Sequence, residues 1–244
     1  MTDPLFLAPL ETPEVDAEVT LAGEEGHHAA QVRRIKAGET IWISDGNGTG
    51  VRGPVVRVER GEVTVRVDEI VHEPERPVRY VAVQALPKGD RAELAVEMLT
   101  ELGVDEIVPW QAERSIVRWT PDRVERGLTR WRVTAREAAK QCRRFRVPTV
   151  SMPMTTAELA LRIGQTALTV VCHESATEHL ASLVPPASGE AMFIIGPEGG
   201  LTDAELDTFT TAGGRPVLIA DAVLRTSTAG VVALAQLQAL AARG

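Results

Sequence analysis

The chain has 244 residues, 44% hydrophobic and 25% charged, enough for a large core in one long domain or two shorter ones. No run approaches the roughly 18 to 20 apolar residues of a membrane span, and Cys142 and Cys172 lack a metal-ligand spacing. The net charge of −8 is uneven: residues 1–75 carry 7 basic and 15 acidic side chains, residues 76–150 carry 15 and 10, and residues 151–244 carry 4 and 9. Membrane, zinc and disulfide readings are thereby set aside, while a basic middle third keeps an anionic polymer in view.

The opening MTDPLFLAPLETPEVD is acidic and lacks the basic-then-apolar order of a signal peptide, so the expected location is the cytoplasm. A helical segment is predicted over 24–36 (EEGHHAAQVRRIK), and strands over 40–44 (TIWIS), 53–58 (GPVVRV) and 62–70 (EVTVRVDEI). Turn signals at 45–50 and 59–61 separate them, which predicts a small barrel-like domain. HEPERP (72–77) reads as a linker, placing the domain boundary between residues 74 and 75.

Beyond the linker, strand and helix alternate. Strands are predicted over 78–86, 106–110, 147–151, 167–174, 191–196 and 215–220. Helices are predicted over 90–103, 129–145, 155–164, 201–214 and 226–242, with Asp90 as an N-cap, Gly103 as a C-terminal stop and a Thr202/Glu205 capping box. This order predicts an α/β domain with a parallel sheet covered on both faces.

Three predicted strand ends carry unusual chemistry: Cys172-His173-Glu174, Gly196-Pro197-Glu198-Gly199-Gly200, and the run Ala220-Asp221-Ala222-Val223-Leu224-Arg225-Thr226. In a parallel sheet all three emerge at one edge, where open α/β sheets bind ligands. The glycine run by itself fits either a tight strand-to-helix turn or a ligand loop. His173 fits a strand-end structural role or a ligand contact, and Arg225 a cap or ion pair at a helix start, or a catalytic donor. Walker-type and GxGxxG phosphate loops are absent from the sequence, which excludes ordinary nucleotide triphosphatases and Rossmann dehydrogenases. Arg132, Arg136, Lys140 and Arg144 recur every four residues, one stripe on a continuous helix that reads as an RNA phosphate-binding face over a merely solvated one, and His28, Arg33, Arg34 and Lys36 form a second, smaller basic patch. The four tryptophans read as packing residues.

GPEGGLTDAEL (196–206) followed by VLRTSTA (223–229) resembles the RsmE family of the SPOUT superfamily, the small-subunit (16S) ribosomal RNA uridine N3-methyltransferases. HHAAQVRRIKAGE (27–39), the segment 84–117 and REAAKQCRRFRVP (136–148) extend the resemblance over nearly the whole chain. It implies a PUA-like β-barrel RNA-binding domain over 1–74 and a trefoil-knotted methyltransferase domain over 75–244. It also implies S-adenosyl-L-methionine as cofactor, 16S rRNA or the small ribosomal subunit as partner, a homodimer, and no metal. The cofactor would lie against His173, Gly196, Pro197, Glu198, Gly199, Gly200, Ile219, Ala220, Val223 and Leu224, with Arg225 and Glu198 as catalytic candidates. The chain departs from the family pattern at Ala220-Asp221-Ala222, where Gly-Pro-Arg is usual, and at Ser227, where Glu is usual. Alternative activities are methylation of another RNA atom, such as a ribose 2′-hydroxyl, and RNA binding without turnover.

Overall fold

The computed structural model describes residues 3–243. The chain divides into two compact units, Met1–Glu75 with Ala139–Val147, and Arg76–Ala138 with Pro148–Gly244.

The first unit is built on β1 (Leu5–Leu7), β2 (Glu18–Leu21), β3 (Thr40–Ser44), β4 (Thr49–Glu59), β5 (Glu62–Arg66) and β6 (Glu69–His72). Strand order is β1-β3-β4-β5-β2, and β6 also pairs with β4. The eleven residues of β4 outrun any single partner, and a register shift between Val55 and Arg57 lets it pair with β3 and β6 at one end and β5 at the other. Such a bulge bends and twists the strand, which curls the sheet around its own core. That core holds Phe6, Leu21, Ile41, Ile43, Val51 and Val65, all buried. Strands β1 and β2 were not predicted, being three and four residues long. The predicted helix is shorter than expected: α1 (Gly23–His27) runs into a π-helical turn, His28–Val32, and Arg34 at φ 54 breaks it.

Ala139–Val147 packs with this unit, although it lies within the span 75–244 expected as the second domain. The Phe145 carbonyl accepts from Ser44 Oγ at 2.9 Å and from the Gly48 amide at 3.0 Å, and its ring lies 5.0 Å from that of Trp42. Backbone pairing and aromatic packing thus draw a distant segment into the barrel, an attraction that no local periodicity records.

The second unit holds β7 (Val78–Ala85), β8 (Glu106–Trp110), β9 (Thr149–Val150), β10 (Leu168–Cys172), β11 (Gly189–Ile195) and β12 (Arg215–Val217). They form one parallel sheet in the order β12-β10-β11-β7-β8-β9. Helices α2 (Arg91–Glu101) and α6 (Thr226–Ala241) pack together and α6 also meets β11 and β7, while α4 (Thr156–Ile163) packs on α5 (Asp203–Thr211). Val81, Val83, Met192 and Ile194 share a core with Leu159, Ile163 and Phe209 of α4 and α5. Coverage of both faces explains why β7 and β11 read as continuous apolar runs.

Helix α3 (Pro121–Cys142) starts eight residues earlier than predicted and ends three earlier. Pro121 suits a first helical position because its missing N–H would be unpaired there. Arg143 at φ 60 stops the helix, with its amide on the Lys140 carbonyl and the Arg144 amide on that of Ala139, a Schellman closure. Thr202 and Glu205 form the predicted capping box of α5, and Gly103 at φ 92 follows α2 as expected. Asp90 does not cap α2: its backbone is already helical and its side chain accepts no capping bond.

Candidate active site at the carboxyl edge of the parallel sheet

Because all six strands of the second unit are parallel, the loops after β10, β11 and β12 leave the sheet at the same edge. A cleft opens there between residues 172–174 and 217–224, with Ala229 of α6 behind. His173, Ile219, Ala220, Val223 and Leu224, five of the expected cofactor contacts, line it. Glu174, which the sequence reading left without a role, lines it as well.

Backbone bonds hold the two walls. The His173 amide donates to Val217 O at 3.1 Å, and Leu218 exchanges bonds with Glu178 and Leu180. Gln236 of α6 reaches across to donate to Ile219 O at 2.7 Å. Among the described residues, residues 220–224 make no backbone hydrogen bond, so a cleft wall keeps its N–H and C=O groups available. His173 Nδ1 accepts from the Ser175 amide at 3.2 Å, which leaves Nε2 to carry the hydrogen of the neutral ring. Burial pushes the Cys172 thiol up to about 12, so it stays protonated and inert.

The glycine run forms the neighbouring rim rather than the cleft wall. The Gly200 amide closes a turn onto Pro197 O at 2.9 Å, and Gly200 takes φ 71, a conformation that penalises any side chain. A Cβ built on Gly200 would sit 4.0 Å from Glu174 Oε1, which places this turn beside the cleft mouth. Thr226 Oγ1 donates to Gly196 O and accepts from Gln84 Nε2, tying β7, the glycine run and the start of α6 together.

Glu198 turns away to the β7–α2 loop. Its Oε1 accepts from the Lys88 amide at 3.2 Å and lies 3.6 Å from Arg91 Nη1. Arg225 is exposed at the N-cap position of α6 without capping it, and among the described residues its guanidinium has no hydrogen-bond or ion-pair partner. The structural alternative for Arg225, a cap or an ion pair at the helix start, is therefore not what the geometry shows.

The basic residues fare unequally. Arg33 and Arg34 are exposed, and His28 is half-buried with its ring edge-on to Phe6 at 6.2 Å. Arg132 is exposed and lies 3.2 Å from Glu125, and Arg136 is half-buried. Lys140 leaves the expected stripe: its side chain is 8% exposed and its Nζ is 2.9 Å from Glu25 Oε1. Arg144 lies past the end of α3, where the reversal at Arg143 removes it from helical register. Regular spacing could not reveal either change, since one depends on a distant acid and the other on where the helix stops.

Residues 74–238 match the model of an RNA methyltransferase domain, and residues 21–68 that of an RNA methyltransferase PUA domain. The chain is 41% identical to ribosomal RNA small subunit methyltransferase E of Mycobacterium bovis, over 95% of this chain and 90% of that one. It is 32% identical to the Bacillus subtilis protein of the same name, over 88% and 87%. The crystal structure of a ribosomal RNA small subunit methyltransferase E from Neisseria gonorrhoeae, bound to S-adenosyl methionine, superposes with a TM-score of 0.86 at 27% identity, over 98% of both chains. A Legionella pneumophila methyltransferase with bound cofactor gives 0.87, also at 27% identity and over 98% of both chains. The fold class is accordingly α/β of SPOUT type behind a PUA-like barrel. With a parallel sheet, a cleft at its carboxyl edge and these relatives over nearly its full length, the chain belongs to the ribosomal RNA small subunit methyltransferase E family.

Proposed function

We propose that this protein transfers a methyl group from S-adenosyl-L-methionine to N3 of one uridine in 16S ribosomal RNA. The observation that carries the reading is the cleft wall at residues 220–224, which makes no backbone hydrogen bond among the described residues, next to the exposed Arg225. Apolar side chains at Val217, Ile219 and Leu224 with an unused peptide edge suit a nucleoside, apolar on its faces and polar along its rim. The bound cofactor would supply a methyl group activated by its sulfonium.

The chain's own residues would do the rest. His173 and the backbone of 219–224 orient the donor, and Thr226 fixes the glycine turn against α6. Uracil gives its N3 proton to solvent ahead of methyl transfer, and the negative charge spreads onto its carbonyl oxygens until N3 takes the methyl group and the donor would leave as a neutral thioether. Arg225 donates to one of those oxygens, which lowers the barrier as oxyanion donors do. Glu198, held by the Lys88 amide and near Arg91, serves as a tie between loops in this scheme. As proton acceptor it would have to give up those contacts.

The same reading makes residues 1–74 an RNA-binding domain using His28, Arg33 and Arg34, and adds Arg132 and Arg136 as phosphate contacts. It also makes the protein a cytoplasmic homodimer. No helix among the described residues is long and apolar enough to cross a membrane, and they contain no group of three or more candidate metal ligands.

The test is to incubate small subunits from cells lacking the protein with purified enzyme and isotopically labelled S-adenosyl-L-methionine, then resolve the nucleosides by mass spectrometry. Label in 3-methyluridine supports the reading. Label in a 2′-O-methylated nucleoside supports the alternative target atom, and cofactor binding without any label identifies a non-catalytic RNA-binding factor.

A further inference from the structure

We propose that Arg114 is a positioning residue for the cofactor loop. Arg114 follows β8 and lies 85 residues before Gly199 in the chain, yet one of its nitrogens, Nη1, donates to Gly199 O at 3.2 Å and to Leu201 O at 3.0 Å. A fixed guanidinium on two carbonyls holds the turn in one geometry, which a flexible ammonium would do less well.

Packing adds to the polar hold. A Cβ on Gly199 would stand 3.2 Å from Arg114 Cβ, so the missing side chain of the glycine is the space into which the arginine stem fits. The same neighbourhood locks the Arg114 loop itself. The Glu113 amide donates to Glu205 Oε1 at 2.8 Å, and Thr202 Oγ1 lies 3.3 Å from Glu113 Oε2. The β8 loop therefore grips the glycine turn and the start of α5 at once. Arg114 is not among the cleft-lining residues: its Nη1 and the Oε1 of the cleft-lining Glu174 each stand 4.0 Å from the Cβ position of Gly200.

This assignment rests on the functional reading above, in which the cleft edge binds S-adenosyl-L-methionine. The measurement is cofactor affinity by calorimetry for wild type, Arg114→Ala and Arg114→Lys, with thermal denaturation alongside and KM and kcat at saturating RNA. Arg114→Ala should bind the cofactor about tenfold or more weakly, the scale of a lost charge-assisted hydrogen bond. KM for the cofactor should rise more than kcat falls, and Arg114→Lys should recover part of the affinity. A folded Arg114→Ala protein with wild-type affinity and KM overturns the proposal. So does a loss of melting temperature with unchanged affinity, which would make Arg114 a structural tie only. Failure of the wild-type protein to bind the cofactor overturns the functional reading, and this proposal with it.

Discussion

Replacing Glu106 by Gln probes the amino-terminal edge of the parallel sheet, opposite the cleft. Glu106 opens β8, and its carboxylate meets Arg162 Nη1 at 2.9 Å, Arg162 Nη2 at 2.8 Å and Arg79 Nη2 at 2.7 Å, with Ser151 Oγ donating as well. Burial alone would raise its pKa, since the side chain is only 7% exposed. The hydrogen bonds from Arg162 and Ser151 and the charges of Arg162 and Arg79 outweigh that, and hold the carboxyl down to about 2 from 4.5. Converted by linkage, this depression is about 3 kcal/mol of stability. The sign follows from the lowered folded pKa: the contribution is full above pH 4.5 and is lost as pH falls through about 2. Arg162 keeps two bonds to Glu190 in the variant, at 2.9 and 2.8 Å, so no arginine is stranded and the cost should stay near 3 kcal/mol or below. Urea denaturation at pH 7 should show that gap, and a series down to pH 3 should show it narrowing below pH 4.5. Cofactor affinity should not change. A variant as stable as wild type at pH 7, or a gap that does not depend on pH, refutes the reasoning.

Three further outcomes are expected. Arg225→Lys should keep cofactor and RNA affinity but lose on the order of 10²-fold in single-turnover methylation, because an ammonium copies the guanidinium geometry poorly; a near-normal rate would leave Glu198 as the remaining catalytic candidate. The double change Arg33→Glu and Arg34→Glu should weaken RNA binding and flatten its dependence on salt, measured by filter binding, since fewer counterions are released. Lys140→Ala should behave differently from those surface changes: with Lys140 and Glu25 side chains 8% and 13% exposed, it should cost stability, about 3 kcal/mol by urea titration, before it costs RNA affinity.

The amino-acid order by itself determined the alternation of strand and helix beyond residue 77, because apolar runs and capping residues act over a few neighbours. Thr202 and Glu205 cap α5 for the same reason, and three chemically unusual strand ends could be placed on one edge once the strands were taken as parallel. Tertiary structure decided what long-range contacts decide. It drew Ala139–Val147 into the first unit through Phe145, Ser44 and Trp42, and it turned Lys140 to an acid 115 residues away. It also set Glu198 on the Lys88 amide and brought Arg114 onto two carbonyls of the glycine turn. Periodicity reports which face of an element is apolar, but a side chain's partner depends on where the rest of the chain closes upon it.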